Sequence, residues 1–270
     1  MSDICILTFY HFHPLEGLDA LRLQLKTRMR ELAVRGTILL APEGINATIA
    51  GSMEATHTLL AELRALPGFA GMADKQSLHN TQPFGRAIVK IRNELISLGE
   101  PADPNTLVGV HVPSAQWNDL IAQDDVLLID GRNSYEARVG KFKGAVDMGA
   151  RDFKDFPALM REHVDPAKHK RVAMYCTGGI RCEKLSSYFL AQGVEEVYHL
   201  EGGILQYLED VPAEQSSWEG ECYVFDGRLA VGHGVTPQAP ISACPSCGHP
   251  LMESDWEHPL FYPGIRCQFC

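Results

Sequence analysis

The chain of 270 residues contains no apolar run of membrane-spanning length, and its start, Met-Ser-Asp-Ile-Cys, lacks a basic stretch leading into an apolar one. Neither a membrane span nor a secretory leader is expected, which makes the cytoplasm the expected compartment. Internal repeats and low-complexity tracts are absent. There is no excess of positive charge, the formal net charge being −10, which argues weakly against a nucleic-acid partner. A flavin fingerprint, a haem motif and a readable set of two histidines with one carboxylate are missing as well. His11 and His13 alternate along one segment and read as surface or packing residues. A disulfide framework is also lacking. Of the eight cysteines, four form two C-x-x-C pairs, one opens a glycine-rich loop, and Cys5, Cys182 and Cys222 are scattered.

The charge is unevenly spread. Residues 1–100 hold 10 basic and 10 acidic side chains, so residues 101–270, with 14 basic and 24 acidic, carry the whole imbalance. Within the neutral part, Arg22, Lys26, Arg28, Arg30 and Arg35 gather on one expected helix and its exit. That cluster could meet phosphates, or it could be a solvated helix face.

The first hundred residues alternate between periods. Strands are expected at Ile4–Tyr10, Gly36–Ala41, Ile45–Ala50 and Ala87–Arg92. Helices are expected over Gly17–Ala33 and from a Ser52 cap to Leu66, with a turn at Pro42-Glu43-Gly44. The order βαββαβ is that of a ferredoxin-like or acylphosphatase-like sandwich. Residues 101–116 read as a linker, and Ser114 as the cap of a short helix ending at Ile121. Continuous apolar strands then follow at Val126–Asp130, Val172–Tyr175 and Glu196–Leu200, with a helix over Lys184–Gln192, as in a small parallel α/β domain. Trp218–Asp226 adds one more strand. The expected division is 1–100, a linker with helix at 101–121, an α/β domain at 122–216 and a cysteine-rich segment at 217–270.

Residues 171–182, Arg-Val-Ala-Met-Tyr-Cys-Thr-Gly-Gly-Ile-Arg-Cys, carry the clearest chemistry. An apolar strand runs into Cys176, then Thr177, Gly178 and Gly179, then Arg181 and a helix. Glycines let successive N–H groups turn inward, and a helix N-terminus favours negative charge. A thiol there is expected to be thiolate-rich near neutrality. The plainer alternative, a buried cysteine at a strand end, needs neither the glycine pair nor Arg181. Four residues separate Cys176 from Arg181, one fewer than in a phosphate-sized cradle, which suits a sulfur atom carried on the cysteine. Arg181 is expected to hold the loop closed or to attract an anionic donor. Asp130 and Arg132 end the neighbouring strand and read as a brace for the site. Cys182 is conceivable as a resolving thiol, although packing under the loop is the simpler reading. Cys244, Cys247, Cys267 and Cys270 have the spacing of a structural zinc ribbon.

Several segments together resemble a rhodanese domain: Ile129-Asp130-Gly-Arg132, Tyr135-Glu136, Gly140–Ala145, Cys176–Arg181 and Leu200-Glu201-Gly202-Gly203-Ile204. With Ala41–Thr48, Arg132–Glu136, Trp218–Asp226 and the cysteine pairs, the chain resembles the bacterial rhodanese-containing tRNA uridine hydroxylases. It departs from that pattern at Ala47, where glycine is expected. The resemblance implies an N-terminal acylphosphatase-like domain, a central rhodanese domain and a zinc-ribbon-like tail. It implies an oxidoreductase that hydroxylates carbon 5 of the wobble uridine, with molecular oxygen as co-substrate and the tRNA anticodon arm as partner. Cys176 then corresponds to the persulfide-bearing nucleophile and Arg181 to the arginine that closes its loop. The electron donor and oligomeric state are not implied. The alternative is a sulfurtransferase working through a Cys176 persulfide, which leaves the Ala41–Thr48 segment unexplained.

Overall fold

The computed structural model describes residues 4–225, 229–235 and 242–270, and the chain divides into two compact units, Met1–Ser97 and Leu98–Cys270. The first unit runs β1 (Ile4–Phe12), α1 (Leu18–Glu31), β2 (Arg35–Ala41), β3 (Gly44–Gly51), α2 (Met53–Arg64), β4 (Asp74–His79) and β5 (Ala87–Ile91). Its sheet has the order β4-β1-β3-β2-β5. Alternate residues of the strands, Cys5, Leu7 and Phe9, Ile38 and Leu40, and Ile45, Ala47 and Ile49, form a core with Leu25 and Met29 of α1 and Leu59, Leu60 and Leu63 of α2. Period-2 strands covered by period-3.6 helices produce this division without further instruction. The Ser52 cap is present, its Oγ accepting from the Ala55 N–H at 3.2 Å.

One strand differs from the sequence reading. The fourth strand of the sandwich is Asp74–His79, antiparallel to β1, and Ala87–Ile91 is a fifth strand lying parallel to β2. Asp-Lys-Gln-Ser-Leu-His shows no apolar alternation because it is an edge strand with little to bury. Ala47 lies within β3, opposite Phe9 and Ile38, and fills the core. The β2–β3 turn is made by Pro42 and Glu43 alone, so the alanine does not touch its tightness. His11 and His13 pack on the Gly68–Phe69 corner, with His11 Nε2 3.0 Å from the Gly68 carbonyl. In the basic cluster, Arg28 pairs with Glu62 and Glu31, and Arg22 with Asp19, while Lys26, Arg30 and Arg35 are exposed.

The second unit runs β6 (Val110–Val112), α3 (Ser114–Ile121), β7 (Val126–Asp130), α4 (Ser134–Ala137), β8 (Gly140–Phe142), β9 (Val146–Asp147), α5 (Phe156–His163), β10 (Arg171–Tyr175), α6 (Ile180–Ala191), β11 (Glu196–Leu200) and α7 (Gly203–Asp210). Its main sheet, β6-β11-β10-β7-β9, is parallel throughout. The stretch read as a linker therefore supplies an edge strand, β6, whose short Val-His-Val carries too little pattern to be seen. Pro113, not Ser114, occupies the cap position of α3, and the Ser114 hydroxyl makes no cap bond. Trp117 and Leu120 of that helix belong to the core of this unit. The helix after the cysteine loop begins at Ile180, so Arg181 and Cys182 lie in its first turn.

Phe142 belongs to the same core and meets Tyr175, Tyr207 and Trp218 edge-on at 4.8, 4.7 and 5.0 Å. The expected strand Trp218–Asp226 is split. β12 (Trp218–Gly220) pairs with β8, and β13 (Cys222–Tyr223) pairs with β14 (Ala230–Val231); Asp226 lies outside the described residues. β15 (Ser242–Ala243) and β16 (Pro250–Leu251) form the hairpin of the cysteine-rich tail. Among the described residues, no helix is long and apolar enough to cross a membrane.

Candidate active site

Strand β10, buried from Val172 onward, ends at Tyr175, and the next residue is Cys176, only 1% exposed. The chain turns at Gly179, whose φ of 100° precedes the first turn of α6. This turn directs the Gly179 N–H to the Cys176 Sγ at 3.2 Å. Burial pushes the Cys176 thiol up. The Cys182 thiol hydrogen bond, the Arg181 charge and the N–H groups of Cys182 and Gly179 outweigh it and bring the group down to about 6. Burial first, and then the bond to Cys176, hold Cys182 well above the ordinary thiol range. The two cysteines thus divide one proton unequally: Cys182 keeps it and donates, and Cys176 is the thiolate.

Arg181 does not point a free charge at solvent. Its Nη1 and Nη2 reach both carboxylate oxygens of Glu136 at 2.6 and 2.7 Å, and Nη2 also reaches the Thr177 hydroxyl at 3.3 Å. Both side chains are buried. The Thr177 hydroxyl donates in turn to Glu136 Oε2 at 3.4 Å. Burial raises the Glu136 carboxyl, but Arg181 pulls it below the usual carboxylate range. A forked guanidinium–carboxylate pair of this kind fixes direction as well as charge. It clamps the two ends of the cysteine loop, Thr177 and Arg181, to α4. The guanidinium charge of Arg181 therefore already has a partner inside the protein.

Asp130 and Arg132 form a second buried pair, Nε to Oδ1 at 2.9 Å and Nη2 to Oδ2 at 2.6 Å. Arg132 also donates to the Gly140 carbonyl at 2.6 Å, and the Tyr175 hydroxyl donates to Asp130 Oδ2 at 2.8 Å. The pair ties β7, β8 and the end of β10 together directly before Cys176. Neither side chain is exposed.

Two further contributors have no role that the sequence alone shows. Glu136 is one; its signal is the Asn133-x-x-Glu136 spacing of a helix start, and its Oε1 accepts from the Asn133 N–H at 3.2 Å. The Gly202-Gly203 pair is the other. The first N–H groups of α7, from Ile204 and Leu205, bond the carbonyls of Cys176 and Thr177 at 2.9 and 3.1 Å. Holding those carbonyls outward leaves the loop N–H groups facing the sulfur. Gly203 has φ 67°, and a Cβ there would lie 2.5 Å from the Cys176 carbonyl oxygen. Only glycine permits this approach. Gly178, by contrast, has open space around its Cα. Cys222 is buried, and burial pushes its thiol up to about 12 against the opposing charge of Arg132, so it is an inert core residue.

The ligand atoms of Cys244, Cys247, Cys267 and Cys270 all lie within 4.8 Å of one another. The Sγ separations of Cys244–Cys270, Cys247–Cys267 and Cys267–Cys270 are 3.6, 3.7 and 3.9 Å. A tetrahedral ion with sulfur bonds of about 2.3 Å sets ligands about 3.8 Å apart, so the four thiols could hold a metal ion and are compatible with zinc. Four protein ligands would leave no open position, as in a structural site. The tail is joined to α4 through Arg138, which reaches Asp255 at 2.9 Å and His249 at 3.1 Å and lies 4.4 Å over the Phe269 ring.

Two family models match the chain. Residues 4–95 match the UPF0176 acylphosphatase like domain, and residues 114–210 match the rhodanese-like domain. Among solved structures, an acylphosphatase from Coxiella burnetii is 14% identical over 33% of this chain and 94% of its own, with a TM-score of 0.26. A BLUF protein, BlrB, in its dark state is 20% identical over 35% of this chain and 77% of its own, with a TM-score of 0.31. A protein of unknown function from Rhodopseudomonas palustris, described as a possible tyrosine phosphatase, is 24% identical over 37% and 79%, with a TM-score of 0.29. Likenesses of this size assign no activity. The chain thus carries a UPF0176 acylphosphatase-like domain followed by a rhodanese-like domain.

Proposed function

We propose that this protein is a cytoplasmic tRNA uridine hydroxylase, which places a hydroxyl group on carbon 5 of the wobble uridine with molecular oxygen as co-substrate. The observation that carries this reading is the Cys176 thiolate, held at about 6 inside a clamped loop, in a chain that also has the UPF0176 domain. A generic sulfur carrier has no need of that first domain. In this reading Cys176 is the reactive sulfur, as thiolate or persulfide. The Gly179 and Cys182 N–H groups hold its negative charge, as donors aimed at developing charge do in other sites. Arg181 and Glu136 keep the loop closed, and Asp130, Arg132 and Tyr175 fix the strand end behind it. The first unit and the tail help hold the anticodon arm, and the four tail cysteines hold a structural zinc.

The test is nucleoside mass spectrometry of tRNA from a deletion strain carrying either the wild-type gene or Cys176→Ser. The wild type restores 5-hydroxyuridine derivatives at the wobble position and the variant does not. A variant that restores them fully would sink the role of Cys176. A second reading, sulfur transfer from a small donor to a thiol or cyanide, draws support from the match to the rhodanese-like domain and the same thiolate nest. Unchanged tRNA nucleosides, together with thiosulfate-to-cyanide transfer by the purified protein, would favour it.

A further inference from the structure

Cys176 is 1% exposed and Arg181 6%, so a substrate meets the surface around the loop before it meets the sulfur. On that surface stands Phe225. Its ring centre is 5.8 Å from the Arg181 guanidinium, and the residue is 64% exposed. A single exposed phenylalanine is ordinary, but this one is anchored. Tyr223 meets it edge-on at 5.2 Å and 89°, and Tyr135 meets Tyr223 edge-on at 5.5 Å and 88°. Tyr223 is buried, and Tyr135 adjoins Glu136 on α4. The helix that clamps the cysteine loop therefore also roots the aromatic row that carries Phe225.

The chemistry of the patch is selective. Both Arg181 nitrogens that could seize an anion are taken by Glu136. What the surface offers instead is an exposed aromatic ring beside the arginine that closes the cysteine loop. The ligand that suits it is flat, aromatic and uncharged, which is the description of a nucleobase lifted out of its stack. We propose that Phe225 is the stacking platform on which the pyrimidine base of a single-stranded RNA loop rests beside Cys176. This subsite rests on the tRNA reading above, which supplies the uracil ring. Stacking of a base on an aromatic side chain changes affinity by about 5- to 150-fold.

The experiment measures binding of an anticodon stem–loop RNA by fluorescence anisotropy. One RNA carries the wobble uridine and the other an abasic site in its place. Wild type, Phe225→Ala and Phe225→Tyr are compared at one salt concentration. Wild type is expected to bind the uridine RNA about 5- to 150-fold more tightly than the abasic RNA. Phe225→Ala should bind the uridine RNA as weakly as the wild type binds the abasic one, and should not distinguish the two. Phe225→Tyr should behave as wild type. Equal binding of both RNAs by wild type, or discrimination that survives in Phe225→Ala, overturns the platform and leaves the tRNA reading standing. Failure of wild type to bind either RNA overturns both.

Discussion

At Cys176 the decisive quantity is the balance between burial and the groups of three neighbours, Cys182, Arg181 and Gly179, because burial alone would leave an inert thiol. The sign gives a direct expectation. A thiol lowered to about 6 is charged above that pH and loses its charge as pH falls through it. The iodoacetamide alkylation rate of Cys176 in the native protein should therefore rise through a midpoint near 6 and level off by neutrality, as followed by mass spectrometry of the Cys176 peptide. A midpoint in the ordinary thiol range, about 8.5, would contradict the thiolate nest. Cys176, Gly179 and Arg181 were readable in advance because strand, cysteine, glycines, arginine and helix are consecutive. The partner role of Glu136 is not legible there, because it lies 45 residues from Arg181 and only the fold brings them to 2.6 Å.

At the level of elements, the site is a meeting of three helix starts and two strand ends. The start of α6 faces the sulfur, α4 supplies the clamp, and the first N–H groups of α7 hold the loop carbonyls outward. The close contact at Gly203 is the most sensitive joint. Gly203→Ala adds a methyl group at φ 67° against the Cys176 carbonyl. It should cost about 1–3 kcal/mol and lower the plateau alkylation rate of Cys176, as measured by thermal melting and by the same labelling assay. An alanine variant with unchanged melting and labelling would show that the loop tolerates a looser fit. The elements themselves were mostly legible where apolar periodicity was strong, as in β7, β10 and β11. β4 and β6 escaped because one is a polar edge strand and the other three residues long, and the partner strand supplies most of what makes them strands.

At the scale of the whole molecule, the second unit carries both the cysteine loop and the four-cysteine tail, and α4 with its C-cap touches each: Glu136 toward the loop, the capping Arg138 toward the tail. If zinc completes the tail, its binding energy is part of the folding energy of that segment. Metal analysis of freshly purified protein should find one zinc per chain, and Cys247→Ser should lose it. A strong chelator should make residues 244–270 a preferred site of limited proteolysis, while β1–β5 stay protected. Zinc-free protein with a protease-resistant tail would refute the ribbon as a metal site. The acidic charge of residues 101–270 sets a further condition on any RNA partner, since attraction must come from local basic groups such as Lys26, Arg30 and Arg35, all exposed.

Local order in the chain is enough for the cysteine loop, the four tail cysteines and the layered α/β character, because each is written in neighbouring residues or in a short period. The charge state of the site was not available at that level. Arg181 could equally have faced an anionic donor, and it is the fold, carrying Glu136 on α4 to both guanidinium nitrogens, that makes it a clamp. The same holds for Gly203, whose need for a bare Cα exists only once α7 has packed on the cysteine loop. Pair energies between buried charges and steric contacts depend on distances across the fold, and those distances are set by packing rather than by any local pattern.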